Sequence, residues 1–294
     1  MTLKSLNKKL LVTTAMALST ALLFTACGST QNSTPSENGG NNANTLSGSI
    51  SISGSTSVQP LAQDLADVFA ETNPGVMIEI QGGGSSQGIK DASTGISDIG
   101  NSSRDLKEEE KAGITEHVIA YDAIAVVLHP TNKIDGLTGE QLKKIFSGEI
   151  TNWKEVGGND LEILVVTREA GSGTRSAFQE LLGLEEKTDG GTRSLIREDA
   201  LVADGNGPVK ANIASKENAI GYISLGFADE TLKRIKVDGV ECTTESVMNK
   251  SYKISRPFLM LTMGEPRPEV KAFLDFILSD EGQAVVGKFY ISVS

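Results

Sequence analysis

Arg168-Glu169-Ala170-Gly171-Ser172-Gly173-Thr174-Arg175 decides the fold of this chain. The apolar run Leu161 to Val166 precedes it, and the helix-like Ser176-Ala177-Phe178-Gln179-Glu180-Leu181-Leu182 follows. A strand therefore feeds a Gly/Ser/Thr turn that opens a helix. Such a turn aims unpaired backbone N–H groups, small hydroxyls and the positive end of a helix dipole at one spot. That spot suits an oxyanion. Arg168, at the strand end, adds a forked charged donor.

Two more junctions of the same kind lie upstream. Ile50 and Ile52 alternate with serines as a short strand and run into Gly54-Ser55-Thr56-Ser57. A helix follows with Val58, Leu61, Leu65, Val68 and Phe69 at amphipathic spacing, and Pro60 fits only in its first turn. Asn73-Pro74-Gly75 ends it. Val76 to Ile80 is the next strand, leading directly into Gln81-Gly82-Gly83-Gly84-Ser85-Ser86-Gln87-Gly88 and a second helix. Ile96 to Asn101 reads as a short strand ending in Ser102-Ser103-Arg104. Farther on, Ala123 to Leu128 and Phe258 to Thr262 are apolar strands, and a final helix carries Val270, Phe273, Phe276 and Ile277 on one face. Strands alternating with helices imply an α/β architecture with parallel pairing.

Ligands of α/β sheets bind outside the carboxyl ends of strands, where these junctions lie. One Gly/Ser turn is an ordinary helix cap. Three hydroxyl-rich ones in a single chain point to a shared site. None has the Gly-Lys-Ser/Thr of a nucleotide P-loop, so the ligand expected is a small free oxyanion.

The ends and the composition narrow this further. Lys4, Lys8 and Lys9 form a basic n-region and Leu10 to Phe24 an apolar core too short to span a bilayer stably, so residues 1–26 read as a secretory signal. Leu23-Phe24-Thr25-Ala26-Cys27 resembles a bacterial lipobox, which makes Cys27 a lipidated first residue anchoring the chain to the membrane. Gly28 to Asn44 is almost wholly small and polar, and 27–46 reads as a flexible tether. Without the three n-region lysines, 24 basic residues face 38 acidic ones. That balance excludes nucleic acid as a partner and leaves any anion to be held by local dipoles and a few arginines. With Cys27 lipidated, Cys242 has no disulfide partner, and His117 and His129 lack the neighbours of a metal site. No metal or cofactor is expected.

A secreted serine hydrolase is the rival from another class. Gly84-Ser85-Ser86-Gln87-Gly88 fits the nucleophile-elbow pattern with Ser86 as nucleophile. The general base would have to be a late histidine, and none follows His129.

In their order, these segments resemble the phosphate-binding lipoproteins of bacterial ABC-type phosphate uptake systems, the PstS family. The resemblance is carried by Ser53 to Ser57, Gly82 to Gly88, Ser97-Asp98-Ile99-Gly100-Asn101-Ser102-Ser103-Arg104 and Ile150-Thr151-Asn152-Trp153. Arg168 to Arg175, Ala219 to Ser224 and Phe273 to Gln283 complete it. It implies a two-lobed periplasmic-binding-protein-like α/β fold, a hinged trap with a mixed sheet in each lobe. Lobe one would be 47–121 plus 256–294 and lobe two 122–255, with hinge crossings near Tyr121-Asp122 and Ser255-Pro257. By the same resemblance, Ser55 and Thr56, Ser85 and Ser86, Ser103, and Ser172, Gly173 and Thr174 hold inorganic phosphate, with Arg168 as the charged donor. The partners implied are ABC permease subunits, and the protein is a monomer without enzymatic activity. One branch of the family has Asp where this chain has Ser103 and another Asp at Ala170. The first receives the proton that separates hydrogen phosphate from sulfate. Asp122 is the replacement expected here, Asp98 the next choice, and Arg104 a second positive donor. Without such a carboxylate, sulfate, molybdate or another tetrahedral oxyanion becomes the alternative ligand.

Overall fold

The computed structural model describes residues 46–189 and 191–294. The signal, the lipobox with Cys27 and the tether up to residue 45 lie outside the described residues. The first part of the chain alternates β1 (Gly48–Gly54), α1 (Gln59–Thr72), β2 (Val76–Gly82), α2 (Ser85–Thr94), β3 (Ile99–Ser102) and β4 (Ile114–Leu128). The middle adds β5 (Gly136–Leu137), α3 (Gly139–Ser147), β6 (Leu164–Arg168), α4 (Gly173–Leu181), β7 (Glu185–Thr188), β8 (Gly191–Ser194) and β9 (Leu201–Ala203). Then come α5 (Asn206–Ser215), β10 (Ala219–Ser224), β11 (Lys233–Arg234), β12 (Lys236–Val237) and α6 (Thr244–Met248). The chain closes with β13 (Ser255–Met263), α7 (Pro268–Leu278) and α8 (Asp280–Val286).

The main sheet is mixed, in the order β2-β1-β3-β13-β4-β10-β6-β9. Its two flanks, β2-β1-β3 and β10-β6-β9, are parallel. Between them β13 and β4 run antiparallel, so the fold is the mixed α/β type. Parallel pairing alone accounts only for the flanks. β4 is much longer than Ala123 to Leu128. Its first half, Ile114 to Ala123, pairs with β13, and Ile124 to Leu128 pairs with β10. A 15-residue strand, ~50 Å long, thus runs through both halves of the molecule.

Two hydrophobic cores sit on either side of Tyr121-Asp122. One joins Ile50, Ile52, Leu61, Leu65 and Phe69 to Phe258, Phe273 and Ile277. There α1 meets α7 through the edge-on Phe69–Phe273 pair, with ring centroids 5.2 Å apart. The other gathers Ala123 to Leu128, Phe146, Val166, Phe178 and Tyr222, with Tyr222 stacked on Phe178 at 3.9 Å. Trp153 belongs to this second core and donates its indole N–H to the Asn218 carbonyl (3.0 Å), anchoring a loop. Strand β6 begins at Leu164 rather than Leu161, because Asn152 bridges to Glu162 and the Ile163 N–H is drawn to the Thr151 carbonyl. The last helical stretch breaks at Ser279, whose hydroxyl caps α8 by accepting from the Gly282 N–H. Cys242 is buried and unpaired. Among the described residues no helix is long and apolar enough to cross a membrane.

Candidate functional site

Three helices present their N-termini to one place, and small residues bring them there. Gly88 of α2 lies flat on β1 and β3: a Cβ on it would fall 2.6 Å from the Asn101 carbonyl and 2.7 Å from the Gly54 Cα. This close approach sets the start of α2 beside the carboxyl end of β1, where the Gly84 N–H donates to the Gly54 carbonyl (2.9 Å). Gly84 has φ +88°, a left-handed conformation that only glycine adopts without strain. The turn before α1 is tied by the Ser55 Oγ, which accepts from the N–H groups of Ser57 and Val58 (3.2 and 3.3 Å). Ser172 caps α4, its Oγ accepting from the Arg175 N–H (3.2 Å).

The hydroxyls of these turns meet across the two halves. Ser57 Oγ lies 2.8 Å from Thr174 Oγ1 and accepts from Asn206 Nδ2 (2.9 Å) and Arg256 Nη2 (3.3 Å). Arg168 Nη2 donates to Thr56 Oγ1 (3.0 Å). Backbone joins in, with the Ser86 N–H donating to the Gly171 carbonyl (3.2 Å). Beneath Gly173 the side chains of Ser55, Ser103 and Ser85 lie in a row, Ser55 Oγ donating to Ser103 Oγ at 2.8 Å. Ser55, Thr56, Ser85, Ser103, Arg168, Ser172, Gly173 and Thr174 therefore all belong to one cluster.

Arg168 is only 1% exposed, which rules out a surface ion pair. Glu169 grips its Nε and Nη2 at 2.8 and 2.7 Å. Behind it the Tyr222 hydroxyl bonds Thr167 Oγ1 (2.7 Å), and Arg175 Nη1 donates to the Arg168 carbonyl (2.9 Å). Burial pushes the Tyr222 phenol up, so it stays a neutral partner. In an acidic chain the fork of Arg168, the Arg256 guanidinium that donates to Ser57 Oγ, and the helix N-termini supply the positive character here.

Four other residues stand apart from what the sequence suggests. Arg104 gives its guanidinium to Glu110 (2.7 and 2.8 Å) and to the Asp105 carbonyl (2.9 Å), away from the cluster. Ser86 is exposed, and only Arg104 approaches its hydroxyl, at 3.5 Å. No imidazole is near it: His117 bonds Thr262 and His129 bonds Thr131. Asp98 sits at the opposite end of β3, held by Ser51 and Arg267. Asp122 is fully buried beside the cluster, but its four acceptor positions are filled. Arg256 Nε and Nη2 (3.2 and 2.9 Å) take one oxygen, and Ser224 Oγ (3.0 Å) and the Leu225 N–H (3.2 Å) take the other. Burial pushes this carboxyl up, and Arg256, Ser224 and Leu225 pull against it.

Ser57, Asn206, Glu169 and Arg256 complete the cluster without having been singled out from sequence. A signal existed for two of them. Asn206 follows Gly205 at a fourth strand–glycine–helix junction, β9 to α5. Arg256 is a lone charge heading an apolar strand, and a charge buried there needs a partner.

The Arg104–Glu110 pair makes a separate prediction. Burial raises the Glu110 carboxyl, but Arg104 and the Lys107 N–H outweigh it and leave it below its ordinary value. A carboxyl depressed in the fold adds stability above its unfolded pKa and loses it as pH falls through the folded one. The stability gap between the parent and Glu110→Gln, read by urea unfolding, is expected to be full at neutral pH and to shrink as pH falls below the ordinary glutamate range and through the lowered folded value. Partial exposure limits it to about 1 kcal/mol.

Comparison with known proteins agrees with this architecture. Residues 39–281 match a family model described as a PBP superfamily domain. The chain is 33% identical over 298 residues to the phosphate-binding protein PstS of Bacillus subtilis, covering 98% of this chain and 96% of that protein. It is 35% identical over 243 residues to the phosphate-binding protein PstS of Borreliella burgdorferi, covering 81% of this chain and 87% of that one. Among solved structures, a Clostridium perfringens protein crystallised with bound phosphate matches with TM-score 0.80 at 50% identity, over 84% of this chain and 100% of that one. An ABC-type phosphate transport receptor of Vibrio cholerae matches with TM-score 0.70 at 37% identity, over 82% and 99%.

Proposed function

The chain belongs to the PBP superfamily and, within it, to the PstS phosphate-binding proteins, and from that membership we propose that it captures inorganic phosphate outside the cell for an ABC importer. The cluster of hydroxyls and helix N-termini around Arg168 is the observation that carries this reading for these residues. Thr56 and Ser57, Ser85 and Ser103, and Ser172, Gly173 and Thr174 hold the anion, with Arg168 as the charged donor. Arg104 and Ser86 are left out of the cradle, since one is committed to Glu110 and the other faces solvent. Residues 47–121 plus 256–294 and residues 122–255 act as two lobes that close over the anion, turning about Tyr121-Asp122 and Ser255-Pro257. Closure takes the anion out of water and makes fixed donors necessary. The chain is a monomer, anchored by lipid at Cys27 on the outer face of the membrane, where it meets the permease. Hydrolysis at Ser86 has no support, because no base stands near it.

Calorimetric titration of the lipid-free mature chain with phosphate tests this, and saturable one-to-one binding is expected. Gly173→Ala probes the closure. Its methyl would fall 2.9 Å from Ser85 Cβ and 2.8 Å from Ser103 Oγ. Overpacking of this kind costs about 1–3 kcal/mol, so the dissociation constant should rise roughly tenfold to hundredfold with little change in melting temperature. Unchanged affinity would show that Gly173 does not meet Ser85 and Ser103 in the bound state.

A further inference from the structure

We infer that Arg175 is a positioning residue for the anion site: its guanidinium staples the turn between Arg168 and Thr174 and fixes where the Arg168 side chain starts, without itself touching the anion. The inference rests on the phosphate-site reading above and adds a residue to it.

Residues 169–172 join the two anion-binding pieces of this half, Arg168 at the end of β6 and Gly173-Thr174 at the start of α4. Within the turn the Ser172 N–H donates to the Glu169 carbonyl (3.1 Å), and Gly171 adds backbone freedom. The Gly171 carbonyl accepts the Ser86 N–H from the other half (3.2 Å), so a shift of this turn would move that contact as well. Arg175 lies in the first turn of α4 and reaches back seven residues, its Nη1 donating to the Arg168 carbonyl (2.9 Å). Its other nitrogens grip what stands behind. Nε donates to Gln179 Oε1 (2.8 Å), one helical turn on, and Nη2 to Ser194 Oγ (3.3 Å) at the end of β8. Ser194 Oγ in turn donates to Gln179 Oε1 (2.8 Å). One planar group thus joins β6, α4 and β8.

The stability of α4 does not ask for this residue. The first turn of a helix is the wrong end for a cation, because the macrodipole is positive there. The other arginines around the cluster are each paired with a carboxylate: Arg168 with Glu169, Arg256 with Asp122 and Arg104 with Glu110. The three partners of Arg175 are neutral, an amide oxygen, a carbonyl and a hydroxyl. What such a set draws on is the rigid fork, whose N–H donors lie in one plane and set the spacing of the groups that accept them.

The backbone of Arg168 is therefore held from two sides. The Tyr222 hydroxyl accepts its N–H (3.4 Å), and Arg175 holds its carbonyl. From that fixed point the Arg168 side chain crosses to Thr56 on the other half (3.0 Å). Hydrogen bonds weaken steeply once their angles and lengths drift, so a base that moves costs the fork its alignment on the anion.

A double-mutant cycle read by calorimetry with inorganic phosphate tests this. Arg175→Met keeps an unbranched stem and removes every N–H donor. Ser194 and Gln179 still have each other as partners, so the melting temperature should fall by less than about 4 °C. The phosphate dissociation constant should rise about tenfold, as for the loss of one hydrogen bond from a charged group. In an Arg168→Ala background the same change should cost less than about twofold, because no guanidinium is left there to place. A general loosening of the fold would weaken binding alike in both backgrounds. Arg175→Lys keeps the charge without the fork and should bind within about threefold of the methionine variant. The lysine variant also carries the cycle if Arg175→Met misfolds. Equal losses in the two Arg168 backgrounds, or a lysine variant that binds as the parent does, would overturn the proposal, since Arg175 would then act through its own charge. Unchanged affinity in Arg175→Met would overturn it too. Absence of phosphate binding by the parent would overturn the phosphate-site reading itself, and this inference with it.

Discussion

Arg168→Ala is expected to raise the phosphate dissociation constant by two to three orders of magnitude. The side chain is buried, it bridges both halves of the molecule, and it supplies the forked charge of the cluster. Truncating one partner of a buried, hydrogen-bonded charge pair costs about 2–5 kcal/mol, and each 1.4 kcal/mol is about tenfold in affinity. Two losses add up here. The anion loses a charge-assisted fork, and Glu169 loses the cation that holds both its oxygens, so it turns repulsive toward any anion nearby. The double change Arg168→Ala with Glu169→Gln removes that repulsion and should recover about tenfold of the loss. Arg168→Lys keeps the charge but not the fork, and it should fall between the parent and the alanine variant. Calorimetric titration of the four chains decides the matter. An alanine variant that binds like the parent would remove Arg168 from the site.

Much of this arrangement is legible in the sequence, for local reasons. A Gly/Ser turn after an apolar run shows its function in composition, because left-handed backbone, close approach and caps each demand particular small residues. Gly84, Gly88, Ser172 and Gly173 are of this kind. What stays hidden depends on long-range pairing. Nothing local in Ile114 to Leu128 tells that its first half pairs with β13 and its second with β10. The partner of Asp122 lies 134 residues away. Asp122 illustrates the limit: its position beside the site can be inferred from a family pattern, but its chemistry depends on which donors fill its oxygens. The β9–Gly205–α5 junction was missed for a different reason. Strand β9 is three residues long, and so short a run has no periodicity to read.

Breaking the Asp122–Arg256 pair should have the largest effect on stability. The two side chains are 0% and 2% exposed and join at 2.9 Å where β4 passes between the two cores. Asp122→Ala leaves a buried guanidinium without its counter-ion and strands Ser224 Oγ and the Leu225 N–H, at a cost of about 3–5 kcal/mol. For a chain of this size that lowers the melting temperature by roughly 6–20 °C. Replacing both, Asp122→Ala with Arg256→Met, removes the unpaired charge as well and should cost less than the single change, as buried pairs exchanged for apolar groups often do. Stability and binding separate in that double variant. Arg256 also donates to Ser57 Oγ and to the Ser103 carbonyl, so it ties the serine-rich turns of one half to the strand crossing. The double variant should therefore fold well yet bind phosphate about tenfold more weakly, because the turns lose that tie. Urea unfolding and calorimetry on the same three samples measure both quantities. A double variant less stable than Asp122→Ala would mean that Arg256 stabilises the fold mainly through Ser57 and Ser103, with its charge pair secondary. Equal stability of parent and Asp122→Ala would show that water reaches this crossing and that the pair does not brace it.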